Sequence, residues 1–159
     1  MIIVTGCSGF IGFHLSKELL NNNLPVLGID NLISSQNILK NWRLEQLKNY
    51  GINFIDVDIT NKAELNKKIR DINFSGNFST IYHLAGLAGV RQSVLEPKKY
   101  YNNNVMGTIN MLNIATEFSL ESFVFASSSS VYGLQDNRIP FVENETLESP
   151  QSPDRKSVV

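Results

Sequence analysis

The 159-residue chain has a single cysteine, Cys7, so no intrachain disulfide can form. That suits a reducing compartment. It also has little charge imbalance, with a formal net charge of -1. A chain so balanced offers no electrostatic case for nucleic acid or for a membrane surface as partner. No stretch approaches the roughly 20 apolar residues that span a bilayer. The opening text MIIVTGCSGFIGFHL has no basic n-region, and Thr5, Gly6, Ser8 and Gly9 break its apolar run, so it does not read as a signal peptide. Cytoplasmic placement is therefore the expectation. The composition, 42% hydrophobic and 18% charged, is that of an ordinary soluble domain with a core.

Strand and helix patterns alternate along the chain. Residues 2–5 (IIVT), 25–29 (PVLGI), 52–57 (INFIDV), 79–84 (STIYHL) and 122–127 (SFVFAS) are short, apolar and rich in β-branched or aromatic residues, the signature of buried strands. Between them lie helical patterns. Residues 10–21 set Ile11, Leu15, Leu19 and Leu20 at helical spacing, and residues 36–49 do so with Ile38, Leu39, Trp42 and Leu47 inward. Gly51 follows as a stop. Thr60 is the predicted cap of a helix over 61–71 with Glu64 in its first turn, and Pro97 starts a long helix to residue 117. Such alternation implies parallel strands joined by helical crossovers. The predicted fold class is α/β, a doubly wound parallel sheet of about five strands. After Gly133 the text turns polar and proline-bearing, so the reading divides the chain into a domain over 1–133 and an irregular segment over 134–159.

The chemistry-bearing motif is Gly6-Cys7-Ser8-Gly9-Phe10-Ile11-Gly12, three glycines at G-x-x-G-x-x-G spacing between a strand and a helix. Glycines in that context permit a tight turn, close approach of backbone to phosphate, and close helix–strand packing. The helix N-terminus then meets an anionic pyrophosphate. The competing reading is a glycine-rich turn without a ligand. Asp30 ends the second strand, eighteen residues beyond Gly12. An acid there accepts hydrogen bonds from the adenosine ribose and repels a 2′-phosphate, which selects NAD over NADP. The alternative for Asp30 is a plain turn acid. Asp58-Ile59, after the third strand, is placed to flank the adenine.

These residues carry a family likeness. The segments VTGCSGFIGFHL (4–15), GIDNL (28–32), HLAGLAGVRQS (83–93), YYNNNVMGTINML (100–112), FASSSSVYG (125–133) and SPQSP (149–153) resemble the extended short-chain dehydrogenase/reductase family. The likeness is strongest to its NAD-dependent nucleotide-sugar epimerases, first the UDP-glucuronate 4-epimerases and next the UDP-galactose type, and it spans nearly the whole chain. It implies a Rossmann-type domain with NAD as cofactor and a nucleotide sugar as substrate of the full-length enzyme. It implies no metal, and its usual setting is polysaccharide biosynthesis. By the same likeness Gly6, Gly9, Phe10, Ile11 and Gly12 sit at the pyrophosphate. Asp30, Asn31, Ser34 and Ser35 line the adenosine ribose, and Asp58 and Ile59 hold the adenine. Leu84, Ala85, Gly86 and Asn103 line the middle of the cofactor. Arg91 faces the substrate, as in uronate epimerases, or is an ordinary surface arginine. Ser128, four residues before Tyr132, corresponds to the hydroxyl that helps a tyrosine bind the sugar 4-hydroxyl, with Ser127 and Ser129 as neighbours able to take its place. In the family reaction, hydride leaves sugar C4 for NAD and returns to the other face of a 4-keto sugar.

Two departures follow. The related 4,6-dehydratases carry Asp-Glu before the VYG, where this chain has Ser129-Ser130. With no acid there to protonate a leaving hydroxyl, epimerisation is favoured over dehydration. The family also continues from SPQSP into Tyr-x-x-x-Lys, its catalytic pair. Here Asp154 stands in the tyrosine's place, and Lys156 matches the lysine only after a two-residue loss. An ordinary carboxylate is too weak a base for an alcohol proton. The expectation is therefore a chain truncated before its substrate domain and inactive in isolation. A truncated coding frame is the favoured origin, ahead of a pseudogene-like frame, a fragment or a deletion. Exposed apolar sheet and helix surface would favour self-association, a homodimer included. The rival readings are a non-catalytic NAD-binding module, and a dehydratase or oxidoreductase of the same family.

Overall fold

In the computed structural model, residues 1–33, 37–72, 77–128 and 132 are described. Five parallel strands form one sheet: β1 (Ile2–Thr5), β2 (Val26–Asp30), β3 (Asn53–Asp56), β4 (Thr80–His83) and β5 (Ser122–Phe125). Their order is β3-β2-β1-β4-β5. The chain thus steps outward from β1 to β3, then returns to the other side of β1 for β4. That reversal is a topological switch point, and open α/β sheets bind ligands in the crevice beyond the carboxyl ends of their strands there. The register pairs Thr5 with both Ile29 and His83. Thr5, Asp30 and His83 therefore all sit at that end of the sheet.

The period-2 alternation of the strands builds two cores. One face gathers Ile3, Leu27, Ile29, Ile55 and Ile81 with Leu65 and Ile69 of α3 (Lys62–Arg70) and Met111 and Ile114 of the last helix. The other gathers Val4, Val26 and Cys7 with Phe13 of α1 (Phe10–Asn21) and Leu47 of α2 (Asn37–Asn49). Helices thus cover both faces, as the doubly wound reading requires. The Cys7 thiol is fully buried, and that burial, reinforced by the nearby Asp30 charge, pushes its pKa up to about 12.

Four expectations need correction. Ile38 (86% exposed), Leu39 and Trp42 (55%) are not inward, and Ile11, at helical spacing in α1, is 64% exposed. In α1 the buried face is Gly12, Phe13 and Ser16, because Gly12 brings the helix down onto the glycine turn. In α2, Leu44 and Leu47 alone are buried among its large apolar residues. The cap of α3 is Asn61, whose side chain accepts from the Glu64 N–H while its amide donates to the Glu64 carboxylate. Thr60 instead bonds Asp58. The helix foreseen over 97–117 is three pieces: α5 (Pro97–Tyr100), a wide π-helical stretch (Tyr101–Met106) and α6 (Gly107–Glu117). A short helix, α4 (Val90–Leu95), precedes it where none was foreseen. Among the described residues no helix is long and apolar enough to cross a membrane.

Candidate functional site

The carboxyl ends of β1, β2 and β4 open into a cavity of about 850 Å³. Its floor is the glycine turn. Gly6 has φ +67, and a side chain there would sit 2.9 Å from the Ala85 nitrogen and the Leu84 carbonyl. Gly12 allows the first turn of α1 to rest on that loop, since a Cβ would lie 2.1 Å from the Gly6 oxygen. Gly6 and Gly9 line the cavity. Gly9 is the N-cap of α1, and no side chain caps that helix and no acid occupies its first turn. The open N–H groups and the positive end of the dipole are thus available to an anion. Phe10 and Ile11 follow on α1, both exposed and outside the cavity lining.

At one end of the cavity stands Asp30, 5% exposed. Its Oδ2 accepts from the Ser8 N–H (3.1 Å), and its Oδ1 accepts from the Leu32 N–H (2.9 Å) and from Lys40 Nζ (2.8 Å). Asp30 therefore ties the glycine turn to the end of β2 and draws Lys40 in from α2. A carboxylate oxygen offers two acceptor positions, so Oδ2 keeps one open beside these bonds. Asp58 lies on the neighbouring loop. It accepts from Asn31 Nδ2 (2.9 Å) and from both the N–H and hydroxyl of Thr60 (2.8 and 2.7 Å). Partial burial raises its pKa, but the Thr60 and Asn31 bonds outweigh that and leave it below the usual carboxylate range. Ile59 is buried beneath the same end, held by Asn110 of α6, whose amide donates to its carbonyl (2.8 Å).

The opposite end is loop 84–87 and the π-helical stretch. Leu84, Ala85, Gly86 and Asn103 all line the cavity. The Leu84 and Ala85 N–H groups both donate to the Thr5 hydroxyl (3.1 and 3.0 Å). Asn104, buried, accepts from the Leu87 N–H and donates to the Leu87 carbonyl. Asn103 donates to Asn104 Oδ1 (3.1 Å).

The remaining site candidates scatter. Arg91 is exposed on α4 and does not line the cavity. Ser128 and Tyr132 are half-buried beyond β5, Ser127 is exposed, and none lines the cavity. Ser34, Ser35, Ser129, Asp154 and Lys156 lie outside the described residues. Sequence reasoning missed Thr5, Lys40, His83, Asn104, Thr108 and Asn110. All but Lys40 fall within the segments that carry the likeness (4–15, 83–93 and 100–112), which was the only signal for them.

Residues 3–155 match the family described as GDP-mannose 4,6 dehydratase. A UDP-glucuronate 4-epimerase of Thermodesulfobacterium geofontis is 39% identical over 153 residues, covering 95% of this chain and 46% of that protein. The crystal structure of UDP-glucuronic acid 4-epimerase from Bacillus cereus in complex with NAD is 33% identical with a TM-score of 0.81, over 99% of this chain and 48% of that one. The UDP-glucose 4-epimerase of Bifidobacterium longum, in complex with NAD+ and UDP, is 30% identical with a TM-score of 0.83, over 99% of this chain and 45% of that one. The chain spans about half the length of each of these three proteins.

Proposed function

The chain belongs to the GDP-mannose 4,6-dehydratase family of NAD-dependent nucleotide-sugar epimerases and dehydratases, and from that premise we propose that it is the NAD-holding part of a UDP-sugar 4-epimerase, with its dinucleotide-binding unit over residues 1–133. The observation that carries the reading is the placement of Asp30. Its nearly buried carboxylate and the uncapped start of α1 meet the same cavity, with the Gly6–Gly9 turn as floor and Ser8 of that turn bonded to Asp30.

The residues present fit a dinucleotide. Gly6 and Gly9 leave the floor bare of side chains, where pyrophosphate oxygens can take the N–H groups of α1. The open acceptor position on Asp30 Oδ2 takes a ribose hydroxyl, and the same charge repels a 2′-phosphate. Asn31, Asp58 and Ile59 wall the adenine. Leu84–Gly86 and Asn103 wall the nicotinamide half. Bound NAD supplies the hydride acceptor and donor. Ser128 is the residue we assign to the sugar 4-hydroxyl, with Ser129 beside it and Arg91 toward a uronate carboxylate.

Epimerisation is preferred to dehydration because Ser129-Ser130 replaces the acid pair, and the relatives described above are epimerases. A uronate substrate is preferred on Arg91 and the 39% relative. Because Asp154 stands at the position of the base, the 159-residue chain holds cofactor without turning over. Incubation with NAD and UDP-glucuronate or UDP-galactose, followed by chromatographic separation of the epimers, should show saturable NAD binding and no epimer. Product formation would overturn the assignment at Asp154, and absence of NAD binding would overturn the reading as a whole.

A further inference from the structure

His83 is fully enclosed and has no part in the functions assigned above. Its ring stacks against Phe125 of β5 (centroids 5.8 Å, 20°) and lies near Phe123. Nδ1 is 2.7 Å from the Thr5 hydroxyl, and Nε2 is 3.0 Å from the Thr108 hydroxyl. The surrounding bonds settle where the protons sit. Thr5 Oγ1 already accepts from the Leu84 and Ala85 N–H groups. A hydroxyl has two acceptor positions and one proton, so Thr5 donates to Nδ1. The ring proton is then on Nε2 and donates to Thr108, whose own hydroxyl donates to the Asn104 carbonyl. Every proton has one acceptor, and the chain runs without a break from the end of β1 to the π-helical stretch.

We propose that His83 and Thr108 are positioning residues for the cofactor, holding loop 84–87 and Asn103 in the spacing that receives the nicotinamide half of the dinucleotide; the inference rests on the dinucleotide reading above. The chain grips loop 84–87 from both sides. Thr5 holds Leu84 and Ala85, and Asn104 holds Leu87 through both its N–H and its carbonyl. The same Asn104 orients Asn103. The Nε2–H imidazole is the form that completes it. Burial pushes the His83 pKa down to about 4, and an imidazolium would press a second N–H on a Thr5 oxygen that is already full. The π-helical widening fits this role, since such turns inside helices are frequent at functional sites.

The adenosine end is built from different residues, so the two halves of the ligand report separately. Calorimetric titrations of the 159-residue chain with NAD and with AMP, on wild type, Thr108→Val and Thr108→Ser, test the inference. Valine keeps the branched shape and deletes the hydroxyl, breaking the chain between His83 and Asn104. Thr108→Val should weaken NAD by about fivefold to tenfold, the scale of one hydrogen bond, and leave AMP within about twofold. Thr108→Ser should restore NAD. Equal loss for AMP and NAD, no loss for either, or no recovery with serine would overturn the positioning role while leaving the dinucleotide reading intact. A wild type that binds neither ligand would overturn the dinucleotide reading, and this inference with it.

Discussion

The two ends of the cavity are built on different chemistry. The end at Asp30, where we propose the adenosine sits, is held by charge: Asp30 at the close of β2 with Lys40, and Asp58 after β3 with Asn31 and Thr60. The opposite end is held by neutral groups, the Thr5, His83 and Thr108 side chains and the Asn104 amide, spanning β1, β4, the π-helical stretch and the start of α6. In the proposed site the charged anchors would set which cofactor fits, because a carboxylate discriminates between a hydroxyl and a phosphate. Neutral ones set spacing, because an enclosed hydrogen-bond chain with every proton assigned has one arrangement.

The sharpest way to break this comparison is to remove the floor that joins the two ends. Gly12→Ala puts a methyl group 2.1 Å from the Gly6 carbonyl, which the turn can relieve only by moving. We expect a loss of about 3 kcal/mol or more in urea unfolding, at the upper end of overpacking costs, and loss of NAD binding with it. Wild-type stability would show that the glycine turn has slack at that contact.

Asp30→Asn acts at one end only. It strips the carboxylate from three donors and leaves Lys40 partly buried without its counter-charge. NAD and AMP should both weaken by about tenfold to a hundredfold, the scale of bonds to a charged group, and the preference for NAD over NADP should shrink. If the preference is unchanged, Asp30 does not face the ribose.

At the neutral end the test is pH. His83 is held in its uncharged form with a pKa near 4, against 6.5 for a free histidine. Between those values the unfolded chain binds the extra proton and the folded one does not. Stability from this group is therefore complete above pH 6.5 and is lost as pH falls toward 4, by at most about 1.4 kcal/mol per pH unit. The lowered Asp58 acts in a separate window, below its ordinary value of 3.8. Urea titrations at pH 7, 6, 5 and 4 should show the decline, and His83→Gln should flatten it. An unchanged slope in the variant would place the proton uptake elsewhere.

The same contrast explains what could be read from the letters. The five strands and the helices α1 to α3 were legible because each strand is a short apolar run and the breaks around those helices carry Gly, Pro or Asn, whereas the pieces of 90–117 were not. At the charged end the acids Asp30 and Asp58 stood out in the sequence, since each closes or follows a strand beyond a glycine turn, but Lys40, which pairs with Asp30 from α2, did not. The neutral end was not. Thr5 and Thr108 are common in strands and helices, and His83 sits inside an apolar strand where a packed ring is the ordinary expectation. Their role depends on the reversal that brings β4 beside β1, and on the widening at Tyr101–Met106; neither has a local signature. The inward face assigned to α2 failed for a related reason. Ile38, Leu39 and Trp42 have helical spacing, but only Leu44 and Leu47 of that helix's large apolar residues meet the sheet's core.

The claim beneath all of this is that the glycine turn and Asp30 form a single NAD site. Calorimetric titration of the 159-residue chain with NAD and then NADP tests it most directly. The account predicts saturable one-to-one binding with NAD clearly the tighter ligand; equal affinities, or no binding of either, would contradict it.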